Sequence, residues 1–245
     1  MIIPKGVKKI EGCAFRKNNI SKVVLPEDLD RIDYMAFSFN DITTLNLPES
    51  LTVIEGHAFS NNKIEEIIIP KKVKKIFEGT FVRNALHSVT IPDNVVELGA
   101  LAFSDNNIQE VVLHGGLIDI GEGCFSYNLI SKVKIPNSLT HLSDRIFLSN
   151  NINTLDIPEN IKTIGESAFN HNKIRKLTLP NGLETIKKGA FAFNKLSFVN
   201  IPDTVYKIEE SAFKASSVFP EAFVKAKRKN AEKGTFDDRI YVQYV

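Results

Sequence analysis

Histidine and cysteine are the residues of this sequence that could bind zinc or act as a catalytic base and nucleophile. Either kind of site needs several such side chains to converge. The chain has a 22-residue repeat, and each of the five histidines occupies a different position of it. Cys13 and Cys124 lie five repeats apart, about 24 Å, which is too far for a disulfide. We therefore predict no enzyme, no metal site and no cofactor. The histidines are His57, His87, His114, His141 and His171.

Lysine and arginine gather in three segments that could attract an acidic partner. The net charge of the chain is only +2, so no global field favours nucleic acid or an anionic membrane. Glu65, Glu66, Glu78 and Glu184 interleave with the basic residues, which favours ordinary solvated surface. A patch for an acidic partner such as a sulfated glycan is the alternative. The segments comprise Lys71, Lys72, Lys74 and Lys75; His171, Lys173, Arg175, Lys176, Lys187 and Lys188; and Lys225, Lys227, Arg228 and Lys229.

The chain repeats itself with a period of 22 residues and no insertion. A proline begins each unit, with His114 in the one vacant slot, and a phenylalanine follows eleven residues later. The prolines are Pro4, Pro26, Pro48, Pro70, Pro92, Pro136, Pro158, Pro180 and Pro202. The phenylalanines are Phe15, Phe37, Phe59, Phe81, Phe103, Phe125, Phe147, Phe169, Phe191 and Phe213.

This period predicts a repeat solenoid of about ten 22-residue coils, because the few apolar positions of one unit form a core only when the units stack. Residues 22–26 alternate between inward and outward positions and are rich in β-branched side chains, as in a strand of a parallel sheet that the proline ends. We expect a second short strand around Arg31 and Ile32. Residues 12–18 are expected to form a tight turn or a 3₁₀ segment opposite the sheet, with the phenylalanine ring inside.

An asparagine recurs three residues after nearly every phenylalanine. A side-chain amide at one fixed turn position is expected to bond to backbone groups, so we interpret these residues as a structural ladder and keep ligand binding as the weaker alternative. The ladder consists of Asn18, Asn40, Asn62, Asn84, Asn106, Asn128, Asn150, Asn172 and Asn194, and Ser216 takes the next position.

One outward position of the predicted strands is the candidate ligand row. Alternation points Val23 and Leu25 inward and Val24 outward. The inward positions are uniform because packing dictates them, whereas the outward row mixes apolar, neutral and charged residues, so folding leaves it free for recognition. The row reads Val24, Asn46, Ile68, Thr90, Val112, Lys134, Asp156, Thr178 and Asn200.

The register stops after Ser216, which predicts a solenoid over residues 1–216 and a C-terminal cap over residues 217–245. Pro220 and Glu221 suit a helix start, basic residues follow, and Gly234 can end the helix. Residues 240–245 are expected to form a final strand. A solenoid needs such a cap because its terminal coil would otherwise expose the ladders.

The pattern Leu-x-Leu-Pro-x-x-Leu-x-x-Ile-x-x-x-Ala-Phe-x-x-Asn resembles the leucine-rich repeats of BspA-like surface proteins, over residues 1 to about 216. This resemblance implies a secreted or cell-surface protein of a bacterium or protozoan parasite, often an adhesin that binds a host or matrix protein, and it brings no catalytic residues. The chain has Asn where many relatives place Cys in the turn.

We accordingly expect a monomeric interaction module that binds a protein ligand, and not nucleic acid, through the sheet face. No apolar run approaches the ~18 to 20 residues of a membrane span, and the first residues lack the regions of a signal peptide. An intracellular scaffold and a glycan-binding surface protein are the alternatives.

Overall fold

Parallel pairing between residues 22 positions apart organises the chain. Lys9 pairs with Arg31, which pairs with Val53, and further along Thr163 pairs with Thr185. The computed structural model describes residues 1–216, 223–225 and 241–242. It divides into two compact units, Met1–Leu129 (unit 1) and Ile130–Val245 (unit 2). Each is a stack of such coils, so the fold class is the predicted leucine-rich repeat solenoid.

Unit 1 contains two series of parallel strands. Two-residue strands form the sheets β1-β2-β3 and β4-β6-β8, and three-residue strands form the sheet β5-β7. In each coil the two-residue strand follows the strand position that the proline ends, so we call the sheets of two-residue strands the second ladder. Isolated bridges join Ile2 to Val24, Lys22 to Thr44 and Thr44 to Glu66. The strands are β1 (Lys9–Ile10), β2 (Arg31–Ile32), β3 (Val53–Ile54), β4 (Lys75–Ile76), β5 (Ser88–Thr90), β6 (Glu97–Leu98), β7 (Glu110–Val112) and β8 (Asp119–Ile120).

Unit 2 follows the same plan. Its second ladder has the order β15-β13-β11-β9, and its three-residue strands form the sheet β10-β12 and part of the sheet β14-β16-β17. The strands are β9 (His141–Leu142), β10 (Thr154–Asp156), β11 (Thr163–Ile164), β12 (Lys176–Thr178), β13 (Thr185–Ile186), β14 (Phe198–Asn200), β15 (Lys207–Ile208), β16 (Phe223–Lys225) and β17 (Tyr241–Val242).

Stacked phenylalanine rings run through the core of each unit. In unit 1 the Phe37 and Phe59 ring centroids are 5.4 Å apart with planes 3° from parallel, and in unit 2 Phe169 and Phe191 repeat this geometry at 5.5 Å. Every repeat phenylalanine from Phe37 to Phe213 is almost completely buried. Each ring therefore packs mainly against neighbouring coils, which explains why one coil has no core of its own.

The segment around each phenylalanine is a pair of tight turns, and no 3₁₀ helix is assigned in the part of the chain that the structure describes. The Ala36 N–H donates to Asp33 and the Ser38 N–H to Met35, the first at 3.2 Å and the second at 3.1 Å. Met35 and Phe39, two residues before and two after Phe37, have φ of 55° and 57°. This left-handed conformation recurs in every coil, and Gly79 is one of the few glycines that take it.

The predicted helix in the cap is wrong at residues 223–225. These residues form β16, which pairs with β14 in the register Phe198 to Phe223, and β17 pairs with β16. Local features favoured a helix, but the unpaired edge of β14 offers backbone partners that only a strand can use. The remainder of the predicted helix, including Pro220, Glu221 and Gly234, and the rest of the final strand lie outside the described residues.

Candidate functional site

The outward row is exposed at every predicted position because the strand alternates. Val23 and Leu25 are buried, whereas 47% of the Val24 surface is accessible between them. The structure places all nine residues of the row in solvent: Val24, Asn46, Ile68, Thr90, Val112, Lys134, Asp156, Thr178 and Asn200. The flanking strand position is exposed as well, at Lys22, Thr44, Glu66, Ser88, Glu110, Lys132, Thr154, Lys176 and Phe198. We call these two rows the sheet face of unit 1 up to Val112 and of unit 2 from Lys132.

Parallel register brings consecutive members of the row together within each unit. In unit 1 Thr90 lies beside Val112, and in unit 2 Asp156 lies beside Thr178. Neighbouring strands are about 4.8 Å apart, so a ligand can touch several rungs at once.

The sheet face of unit 1 combines apolar side chains with carboxylates. Ile68 is 82% exposed, the most exposed of the large apolar residues described, and Val112 is 38% exposed two coils further on. A shallow groove of about 420 Å³ lies beside Ile68. Its lining includes Thr44, Asn46, Glu49, Glu65, Glu66 and Ile68. Sequence reasoning did not assign Glu49 and Glu65 to this face, although their fixed places beside the strand positions could have indicated it.

The sheet face of unit 2 has a different chemistry. A groove of about 470 Å³ lies between two coils and is lined by Lys132, Lys134, Asn137, Thr154 and Asp156, among others. Phe198 is the only large apolar side chain exposed on the described part of this face. Cations and neutral hydrogen-bonding groups therefore dominate here.

Several charged residues beside the second ladder form ion pairs, whereas several of the described charged residues on and next to the sheet faces do not. Beside the second ladder, Arg31 pairs with Glu55 and Lys187 with Asp144. Among the described residues, no ion-pair partner lies within reach of the following groups on the sheet faces or next to them: Glu27, Glu49, Glu65, Glu66, Lys132, Lys134, Arg175 and Lys176. These charges are available to a partner without the loss of an existing pair.

The asparagine positions lie inside the turns and bond to backbone on both sides. Asn62 donates from Nδ2 to the carbonyl oxygens of Phe37 and Phe59, at 2.9 and 3.2 Å, and its Oδ1 accepts from the Ile42 N–H at 3.0 Å. The acceptor bond recurs, at 3.0 to 3.1 Å, at Asn40, Asn62, Asn84, Asn106, Asn128, Asn150, Asn172 and Asn194. These side-chain amides form hydrogen bonds with backbone groups, which supports a structural role.

The ends of this asparagine ladder differ from its middle. Asn18 in the first coil is exposed and donates to the Arg16 carbonyl at 3.3 Å. Ser216 is buried and its hydroxyl donates to the Phe191 carbonyl at 3.0 Å, so it replaces one bond of an asparagine.

Residues capable of catalysis or metal binding do not converge in the described part of the chain. No three His, Cys, Asp or Glu side chains there are placed to hold a metal ion. Burial raises the pKa of the Cys124 thiol, which keeps it protonated, and Cys13 is exposed and free. His57 packs edge-on against Tyr34, 5.9 Å between centroids, and His171 stacks on Phe193 at 4.4 Å. No helix in the described residues has the length and apolar character needed to cross a membrane.

The second basic segment of the sequence is split between two surfaces. Lys176 lies on the sheet face with Arg175 directly before it, whereas Lys187 and Lys188 lie at the second ladder and pair with Asp144 and Glu210, each at 3.2 Å. The sequence cluster is therefore not one patch in space.

Comparison with known proteins places this geometry among bacterial repeat proteins. A family model for the BspA type leucine rich repeat region matches residues 1–109 and 97–219. The pneumococcal vaccine antigen PcpA is similar with a TM-score of 0.71 and 21% identity, covering 100% of this chain and 68% of PcpA. A leucine-rich repeat protein from Bacteroides ovatus is similar with a TM-score of 0.68 and 18% identity, covering 100% of this chain and 83% of that one.

A leucine rich cell surface protein from Faecalibacterium prausnitzii has a TM-score of 0.60 and 20% identity, covering 97% of this chain and 69% of that one. At these identities the structural likeness shows the fold alone. A sequence comparison with curated proteins gives no match.

Proposed function

Since the chain belongs to the family of BspA-type leucine-rich repeat proteins, we propose that it is a non-enzymatic interaction module that binds a protein ligand through its outward sheet row. The contact is centred on unit 1, with Ile68 and Val112 as apolar anchors. The family and its fold are typical of protein binding and are typically non-enzymatic.

One observation carries this proposal: the outward row is exposed at every rung and varies in chemistry, while the inward rows are uniformly apolar and buried or half-buried. Packing accounts for the inward residues, but no packing role requires an isoleucine with 82% of its surface in water at position 68. An exposed apolar residue amid charged neighbours is a typical contact centre, because a partner removes it from water while the surrounding charges orient the partner.

The carboxylates around Ile68 indicate the partner's character. Glu49, Glu65 and Glu66 line the same groove and lack ion pairs among the described residues. A protein segment with an apolar side chain for Ile68 and basic side chains nearby would complement this face.

The proposal includes a cell-surface location and an adhesin-like role toward a host or matrix protein. The family supports this location, and one structural neighbour is itself described as a cell surface protein. An intracellular scaffold would share the fold and differ only in its cellular location.

Site-specific photo-crosslinking tests the binding face. A photoreactive phenylalanine derivative replaces Ile68 in one variant and Ile118 in a control, because Ile118 is also an exposed isoleucine, at 60%, but lies outside the sheet face. Each variant is irradiated with serum and extracellular-matrix extracts. We expect a discrete adduct from position 68 and none from position 118.

An adduct that forms only at position 118 would move the binding face to the other side of the coil. Absence of an adduct at position 68 would contradict the proposal. Thermal melting of both variants establishes that each is folded.

A further inference from the structure

Cations are concentrated on the sheet face of unit 2. Its strand positions and the residue before β12 hold Lys132, Lys134, Arg175 and Lys176, and the nearby acids are Asp156 in β10 and Glu159 in the turn that follows it. Cations therefore outnumber acids here by four to two. The excess is local, since unit 1 has acidic groups at equivalent places, such as Glu65 and Glu66.

The four cations are also free of internal partners. None has an ion pair with a described residue. Lysines at the second ladder of the same unit differ, because Lys162 pairs with Glu184 at 3.7 Å and Lys207 with Glu209 at 2.7 Å. An anionic ligand at the sheet face would thus gain new charge pairs without breaking old ones.

Neutral hydrogen-bonding groups occupy the surface between the cations. Thr154 lies directly beside Lys176 in the β10-β12 register, and the groove of about 470 Å³ there brings Asn137 and Thr154 next to Lys132. Thr178 and Asn200 continue the exposed row. Among the described residues of this face, Phe198 in β14 is the only exposed large apolar side chain, and none lies on the rungs that hold Lys132, Thr154 and Lys176.

We propose that the sheet face of unit 2 binds a sulfated polysaccharide. Such a ligand presents sulfate groups along an extended polar chain, so lysine and arginine contact the sulfates while threonine and asparagine bond to sugar hydroxyls. Arg175 suits an oxyanion because its guanidinium can donate two parallel hydrogen bonds. A protein partner would require apolar contact at the centre of the face, and single-stranded nucleic acid would require a series of aromatic platforms. This site is independent of the protein-binding site proposed on unit 1.

Binding of a heparin dodecasaccharide to the full chain tests this site, measured by calorimetry near physiological ionic strength of about 0.15 M. The test variant replaces Lys132, Lys134, Arg175 and Lys176 by serine. Its control replaces Lys71, Lys72, Lys74 and Lys75 by serine as well, which removes the same charge from a denser cluster of the sequence. We expect the test variant to lose at least about tenfold in affinity and the control to lose little.

Three results would overturn the proposal: no heparin binding by the unaltered protein, equal losses in the two variants, or equally tight binding of a single-stranded DNA of similar length. The second would attribute binding to net charge, and the third to polyanions in general. All eight replaced residues are exposed, so both variants should melt as the parent does. An Ile68→Asp variant should keep its heparin affinity, which separates this site from the protein-binding site.

Discussion

The side-chain amide of Asn106 donates to the carbonyl oxygen of Phe81 in the preceding coil, at 3.0 Å. It also donates to Phe103 in its own coil at 3.1 Å, and its Oδ1 accepts from the Leu86 N–H at 3.1 Å. Removing this side chain leaves buried backbone groups unpaired, so Asn106→Ala should destabilise the protein by about 1 to 3 kcal/mol. The midpoint of thermal unfolding measures the effect.

Asn107→Ala is the matched control, because Asn107 is the adjacent asparagine and is exposed. Its replacement should change the midpoint little. Equal midpoints for Asn106→Ala and the unaltered protein would contradict a structural role for the asparagine ladder.

Phe103 lies between Phe81 and Phe125, with ring centroids 5.7 and 5.6 Å away, and is fully buried. Phe103→Ala opens a cavity in a stack that adjacent coils cannot easily close, so we expect a loss of about 3 to 5 kcal/mol. Chemical denaturation measures it. Phe39→Ala, at a phenylalanine with 42% of its surface exposed, should cost far less. Similar losses for the two variants would contradict the interpretation of the ring stack as the core.

Gly79 has a φ of 58°, and the ring of His57 occupies the space that an added Cβ would take. Gly79→Ala combines backbone strain with displacement of His57 and should destabilise the protein by about 1 to 3 kcal/mol. Gly115→Ala is the control, since nothing lies within 4 Å of its Cβ position. A thermal midpoint unchanged by Gly79→Ala would show that the turn accommodates a side chain there.

The strand β16 pairs with β14 at the end of unit 2. Deletion of residues 217–245 removes that partner and leaves the edge of β14 open, so the shortened protein should aggregate or unfold at lower temperature. Analytical ultracentrifugation and thermal melting report the two effects. If the deletion variant is monomeric and melts at the same temperature as the full chain, residues 217–245 do not act as a cap.

Alternation and period sufficed to predict which residues of each coil are buried, because stacking forces the same inward positions in every coil. Val23 and Val24 differ in exposure as expected from this rule alone. The second strand at Arg31 and Ile32 followed from the same reasoning.

Features that depend on contacts between coils were not predictable in this way. The left-handed φ of Met35 and Phe39 follows from turn stacking and not from residue type, since neither residue favours it. Residues 223–225 have helix-favouring neighbours in sequence, but long-range pairing with β14 decides their conformation. Likewise the ion pair of Arg31 with Glu55 spans two coils, so the contrast between paired and unpaired charges emerges only in three dimensions.

We propose the sheet face of unit 1 as the surface that binds a protein ligand. The most direct test of this proposal is the affinity of the ligand, once crosslinking at position 68 has identified it, for the double variant Ile68→Asp/Val112→Asp. The matched control is Val96→Asp/Ile118→Asp, since Val96 and Val112 are 37% and 38% exposed and Ile118 is an exposed isoleucine off this face. We predict at least a tenfold weaker affinity, about 1.4 kcal/mol, for the sheet-face variant and an unchanged affinity for the control. Unchanged affinity in the folded sheet-face variant would contradict binding through Ile68 and Val112.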